Sequence, residues 1–232
     1  MQIVEIKILN YSLIYKSKKI MKVEIWSDIA CPYCYLGKHK FENALNKFEN
    51  KEEIEVIWHS FQLDPSIRFE EDRTMVQYLV DYKGYDPEDV KEMTAGIVAS
   101  SVREGLEMNF DKVKPANTLD AHRLLHLALK NGLQDEAEER LFRAYFTEGE
   151  NIEDKSILTK LGLEIGLKRD QLTNLLNSDQ YLDEVKRDFF EARQIGVRGV
   201  PFFLIGDKYT VAGAQDSSYF LKAIAKAWSE KV

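Results

Sequence analysis

Along residues 22–28, KVEIWSD, apolar and polar positions alternate, and the apolar ones are Val23, Ile25 and Trp26. A period near two built from such residues predicts a strand. From Pro32 the period lengthens: Tyr35, Leu36, Phe41, Leu45 and Phe48 recur at helical spacing and are expected to share one buried stripe. Pro32 suits the first turn of that helix, where its missing N–H costs nothing, whereas Gly37 weakens the helix locally. EIEVIWHSF (53–61) returns to alternation and gives a second strand. Strand, helix and strand in that order predict a right-handed crossover and a parallel pair.

From about 72 to 195 helical periodicity runs almost without a break. Segments such as TLDAHRLLHLALKNG (118–132) and QDEAEERLFRAYFTEG (134–149) end in Gly, a common helix stop, and Thr118 and Asp154 sit where N-caps are expected. Charge runs such as DEAEER (135–140) read as solvated helix faces. VPFFLIG (200–206) and YTVAGA (209–214) are then two strands joined by a short turn, and SSYFLKAIAKAWSEKV (217–232) is a closing amphipathic helix. A β-α-β half followed by a β-β-α half predicts an α/β, thioredoxin-like fold. Residues 21–70 and 185–232 would form that domain, and 71–184 an all-helical insertion lobe between its halves, because so many apolar helices cannot all lie on four strands.

Residues 1–20 form an N-terminal extension to which the pattern assigns no structure. Asn10 and Ser12 interrupt its apolar stretch and basic residues follow it, so no export signal is read there and a cytoplasmic location is expected. With 232 residues, 44% of them hydrophobic, the chain can bury a sizeable core. A net charge of -7 with no basic stripe argues against nucleic acid as partner. No apolar run reaches the roughly 18 residues of a membrane span, so no membrane is expected either.

The chemistry concentrates in SDIACPYCYLGK (27–38), which holds both cysteines of the chain. Cys31 falls at the junction of strand and helix, where partial positive charge and free N–H groups stabilise a thiolate, the nucleophilic form. Cys31 is expected to be exposed at the helix mouth and Cys34 covered one turn inside, which separates an attacking thiol from a resolving one. A structural zinc site, a structural disulfide and two inert core cysteines are the other readings. Zinc wants about four ligands and no second cysteine pair exists; so short a disulfide loop removes little entropy from the unfolded chain. In GVRGVPFF (196–203), a cis Val200–Pro201 bond is expected beside the sulfurs, with the Val200 backbone turned toward a docked substrate.

SDIACPYCYLGK, FQLDP (61–65), NTLDAHRLLHLA (117–128), RLFRAYFTEG (140–149) and GVRGVPFFLIGDKYTVAGAQ (196–215), in that order, resemble the FrnE-like branch of the DsbA-type thiol oxidoreductases. The resemblance covers about 22–230. It implies a redox-active Cys31–Cys34 pair with Pro201 beside it, substrate contacts from Pro32, Tyr33, Val200 and Asn117, and action on protein disulfides or small thiols. No metal or cofactor is implied, though glutathione stays open as a co-substrate; oligomeric state is not assigned. Secreted relatives usually carry His where this chain has Tyr33, so a weaker oxidant is expected, suited to reduction or isomerisation. Kappa-class glutathione transferases and hydroxychromene-carboxylate isomerases, also related, carry Ser where this chain has Cys31. Their Ser-Asp pair for the γ-glutamyl group falls at Ala214-Gln215, with Asp216 one step on. A glutathione-dependent transferase or isomerase is therefore the alternative enzyme, and a redox-inert interaction module the non-enzymatic one.

His122 and His126 stand four apart, a metal-ligand spacing, but no third ligand or intervening Glu completes a known pattern, and a structural role is expected. His59 is expected to be a packed or edge histidine.

Overall fold

The computed structural model describes residues 20–230, so the N-terminal extension lies almost wholly outside the described residues. Strand β1 (Met21–Ser27) leads into helix α1 (Pro32–Leu45) and strand β2 (Ile54–Ser60). Seven helices follow: α2 (Met75–Lys83), α3 (Pro87–Arg103), α4 (Leu119–Lys130), α5 (Gln134–Arg143), α6 (Lys155–Glu164), α7 (Arg169–Leu176) and α8 (Leu182–Gln194). A π-helical turn, Ala144–Glu148, extends α5. Strands β3 (Phe202–Ile205) and β4 (Tyr209–Ala212) and helix α9 (Ser217–Ser229) complete the chain.

The sheet runs β2-β1-β3-β4. β1 and β2 are parallel, from Met21 opposite Ile54 to Ser27 opposite Ser60, and the other pairs are antiparallel. This is the thioredoxin-like arrangement with a helical insertion that the β-α-β and β-β-α halves predict. No helix among the described residues is long and apolar enough to cross a membrane.

Alternation along β1 sends Val23 and Ile25 to one sheet face, where they join Phe203, Ile205 and Phe220 beneath α1 and α9. Trp26 faces the other way, onto Ala192 at the end of α8 and Val197 just beyond it. The edge strand β2 is protected by α5: Gln134 donates to the Trp58 carbonyl at 2.8 Å and accepts from the Trp58 N–H at 3.1 Å.

Helix α1 departs from the single-stripe expectation. Phe41, Leu45 and Phe48 join the sheet core, whereas Tyr35 and Leu36 join the core of the helical lobe with Cys31 and Cys34. The helix lies between two cores, so it has apolar neighbours on opposite sides. Lys38 is consequently only 2% exposed, ringed by Glu42, Asp135 and Glu139. Burial alone would depress its pKa, but these carboxylates outweigh burial and hold the ammonium above its usual range.

Candidate active site

The end of β1 delivers Ser27 and Asp28, and a turn closed by the Cys31 N–H on the Asp28 carbonyl at 2.9 Å sets Cys31 as the N-cap of α1. Pro32 takes the first helical position. The Cys31 carbonyl accepts from the N–H groups of Cys34 at 3.0 Å and Tyr35 at 3.4 Å, which closes the first turn and brings both thiols to one side. Both cysteines are free. The Cys31 thiol donates to the Val200 carbonyl at 3.6 Å. The Val200–Pro201 bond is cis, and the Pro201 carbonyl accepts from the Gly213 N–H at 2.8 Å.

Gly37 makes this approach feasible. A Cβ on it would lie 2.9 Å from Pro201 Cγ, so the residue that weakens the helix by propensity is the one that admits the proline.

Cys31 is 4% exposed rather than open at a helix mouth, and Cys34 is 0% exposed. The insertion lobe folds over the start of α1, and Cys31 lines a cavity of about 440 Å³ with Pro32 and Tyr33. Val200 lines a second, more open depression, which shares Tyr33 with the first.

Burial pushes the Cys34 thiol well above its usual range, and the Cys31 sulfur adds to the shift; hydrogen bonds from the Asp28 backbone and the Ser27 hydroxyl oppose it. Ser27 also donates to Glu138 Oε1 at 2.9 Å. Glu138 is 0% exposed, and its Oε2 has no hydrogen-bond partner among the described residues. Burial raises its pKa to about 8, against the Ser27 bond and the Lys38 charge. At neutral pH the carboxyl is mostly protonated and can donate to Ser27, freeing the Ser27 proton for a Cys34 thiolate. Ser27 thus stands between the Cys34 thiol and a buried acid.

Asp28 is equally buried and is used as a clamp: its carboxylate accepts from the Leu63 N–H at 2.7 Å and the Ala30 N–H at 3.4 Å, and lies 3.3 Å from His122 Nε2. It thereby fixes the 61–65 loop against the redox turn.

The profile of the DSBA-like thioredoxin domain matches residues 22–225. The chain belongs to that family. The uncharacterized protein YwbO of Bacillus subtilis (strain 168) is 31% identical over 211 residues, 90% of this chain and 98% of its own. The crystal structure of a probable DsbA oxidoreductase from Streptomyces coelicolor has a TM-score of 0.85 at 36% identity, covering 91% of this chain and 92% of its own. The cytosolic disulfide reductase DsbM from Pseudomonas aeruginosa shares the fold, with a TM-score of 0.60 at 17% identity over 90% of this chain and 95% of its own.

Within this DSBA-like frame, Cys31, Cys34, Pro32, Tyr33, Val200 and Pro201 converge on one locality, and Asn117 stands apart. The Asn117 side chain accepts from the Leu119 N–H and from Gln62, and donates to the Pro65 and Ile67 carbonyls. With its hydrogen-bonding capacity committed to the neighbouring loop, it has none for a substrate; Ala116 and Thr118 line the cavity instead. Thr118 is not a side-chain cap, since Asn117 bonds the first free N–H of α4, while Asp154 caps α6 as expected.

The two histidines of α4 diverge. His122 turns to Asp28, and His126 to Asp188 at 3.0 Å and to Ser60 at 3.2 Å. His59 bridges Glu24 and Asp188, both at 3.0 Å, and stacks on Trp26. Burial works against its charge, but the bonds to Asp188 and Glu24 raise its pKa to about 9. Burial works against the Asp188 charge too, but hydrogen bonds from His126 and His59 hold the carboxyl below the usual carboxylate range.

Ser27, Asp28 and Glu138 are the site-adjacent residues that the sequence reading did not single out. DEAEER is not uniformly a solvated face, because Glu138 shares the buried side of α5 with Gln134, Ala137, Leu141 and Phe142. That i, i+3, i+4, i+7, i+8 spacing was the available signal.

Proposed function

We propose that the protein is a thiol–disulfide oxidoreductase of the cytoplasm, in which Cys31 attacks and Cys34 resolves. The observation that carries this reading is the placement of the Cys31 sulfur at the N-terminus of α1, in contact with the Val200 carbonyl, with Cys34 buried one turn below. The Cys31 thiolate attacks a substrate disulfide, forming a mixed disulfide and releasing one substrate thiolate. As Cys34 attacks the Cys31 sulfur its proton passes to the second substrate sulfur, which leaves as a thiol, and the enzyme is left as the Cys31–Cys34 disulfide. The substrate gains two electrons and two protons, and an external thiol such as glutathione returns the enzyme to the dithiol.

Membership of the DSBA-like family supports redox chemistry at this coarse level, and the resemblance to the FrnE-like branch agrees with it. The glutathione-transferase alternative is less well supported. At the γ-glutamyl position Gln215 donates to the Ala212 carbonyl at 2.9 Å and the exposed Asp216 pairs with Lys40 at 3.2 Å, and no serine stands there. Glutathione enters this reading as a reductant, not as a bound cofactor.

The test is a pair of variants. Cys34→Ser accumulates a mixed disulfide on Cys31, detected as a mass increase that dithiothreitol removes, and Cys31→Ser forms none. Conjugate formation between glutathione and an electrophile, without turnover of any disulfide, would replace this reading with the transferase one.

A further inference from the structure

The cavity above Cys31 has features that narrow the substrate class of the proposed redox reaction. Its walls include Ile67, Met75, Leu79, Met93, Phe110 and Phe146. Apart from the exposed Tyr33 and Tyr85, its polar side chains are paired. Asp64 accepts from Tyr78 and Lys83, both at 2.6 Å, which cancels the two charges at the rim. Asp28 is held by Leu63, Ala30 and His122; Thr118 accepts from Gln62, and Thr94 donates to the Val90 carbonyl. A charged or strongly hydrogen-bonding ligand would lose its water there with few free partners in return. An apolar one would gain by burial, and the two methionines let the walls adapt to its shape.

Size and depth give the second constraint. A cavity of about 440 Å³ falls within the roughly 300–1,000 Å³ range of small-molecule sites. Cys31, 4% exposed, lies in its wall. A disulfide fixed in the surface of a folded protein cannot descend to that sulfur, whereas a small molecule or the end of a flexible one can.

We propose that the substrate is a small apolar disulfide whose apolar half occupies this cavity. The other half extends past Tyr33 into the open depression lined by Val200, Gly213 and Gln215. Cys31 forms a bond to the sulfur of the apolar half. The substrate S–S bond breaks, and the other half leaves as a thiolate into the open depression. Cys34 then displaces the apolar thiol, so both substrate sulfurs end reduced and the enzyme pair oxidised. This inference rests on the redox reading above and specifies what that chemistry acts on.

The experiment compares 2-phenylethyl 2-hydroxyethyl disulfide with bis(2-hydroxyethyl) disulfide, whose sulfurs have similar intrinsic reactivity, as oxidants of the reduced full-length protein in single turnover. Insulin serves as the protein disulfide. The expected result is a second-order rate about tenfold or more higher for the phenylethyl compound than for either other disulfide, from burial of one aromatic ring. Leu79→Trp, which fills the cavity, should bring the ratio of the two small-molecule rates toward one. Met75→Ala, which enlarges it, provides a second perturbation, expected to lower the ratio if Leu79→Trp does not fold. Equal rates in the wild type, a faster reaction with insulin, or a ratio unmoved in the folded variants would overturn the inference. Failure of all three disulfides to oxidise the Cys31–Cys34 pair would instead defeat the redox reading itself.

Discussion

Glu138 carries a carboxyl into a place with one hydrogen-bond donor and no water-facing surface. Its pKa of about 8 in the fold, against 4.5 for a free glutamate, means that folding retains a proton the unfolded chain has lost. The fold therefore loses stability through this group as pH rises from 4.5 to about 8. Glu138→Gln removes that loss. The variant should match the wild type near pH 4.5 and exceed it at pH 8 by about 4 kcal/mol, read by urea unfolding at the two values. A wild type more stable than Glu138→Gln at pH 8 would mean that the acid is ionised in the fold. The neighbouring Ser27 acts on rate more than on stability: Ser27→Ala removes a hydrogen bond that favours the Cys34 thiolate. It should slow decay of the mixed disulfide by about tenfold or more while leaving the formation of that species near the wild-type rate, measured by rapid quench. Equal slowing of both steps would point to a displaced Cys31 instead.

Helix α1 positions the chemistry because it is gripped at two levels. Its first turn sits in the lobe core, where Tyr35 stacks on Phe142 at 5.0 Å and donates to Glu139 at 2.9 Å; its later turns sit on the sheet through Phe41 and Ala44. Between the two, Gly37 faces Pro201. Gly37→Ala gains helix propensity but drives a methyl group into the proline, and the second effect should win: about 1–3 kcal/mol of lost stability. The displaced Pro201 segment should also slow thiol exchange on every disulfide tried, because Val200 moves with it. A variant more stable than wild type with unchanged rates would show that the loop yields freely.

Across the whole molecule, the sheet and the insertion are locked by a buried charge network. Asp188 of α8 accepts from the Ser60 N–H at 2.7 Å and from His59 and His126, and the Trp26 indole donates to its carbonyl. His59 has a folded pKa of about 9 against 6.5 for the model imidazole, so its stabilisation is complete below about pH 6.5 and is lost as pH rises through about 9. His59→Gln should be destabilised at pH 6 and should show a flatter stability profile between pH 6.5 and 9 than the wild type. Asp188→Ala leaves a buried imidazolium without its main partner and should cost about 3–5 kcal/mol, with Trp26 fluorescence changing in the folded state. A pH profile unaltered by His59→Gln would show that the histidine is neutral in the fold.

The strands, the crossover and the cysteine turn were legible along the chain, because alternation, helical spacing and a cysteine pair at a strand–helix junction are local signals, and the proximity of Pro201 to that turn followed from the fold these elements imply. The burial of Cys31 was not, since it depends on how the helices after β2 fold back over α1. Nor was the burial of Lys38 and Glu138: both sit in charge-rich stretches, and only the apposition of α1 and α5 decides that their charges face protein rather than water. Asn117 illustrates the same limit, its role being set by where the 62–67 loop comes to rest. Sequence by itself determined the elements and the reacting atoms, because backbone propensity and side-chain chemistry are properties of short segments. The shape above the sulfur, the hydrogen bonds around Ser27 and Glu138 and the lock between sheet and insertion were decided only by tertiary structure, because burial and hydrogen-bond partnership arise between segments distant in the chain.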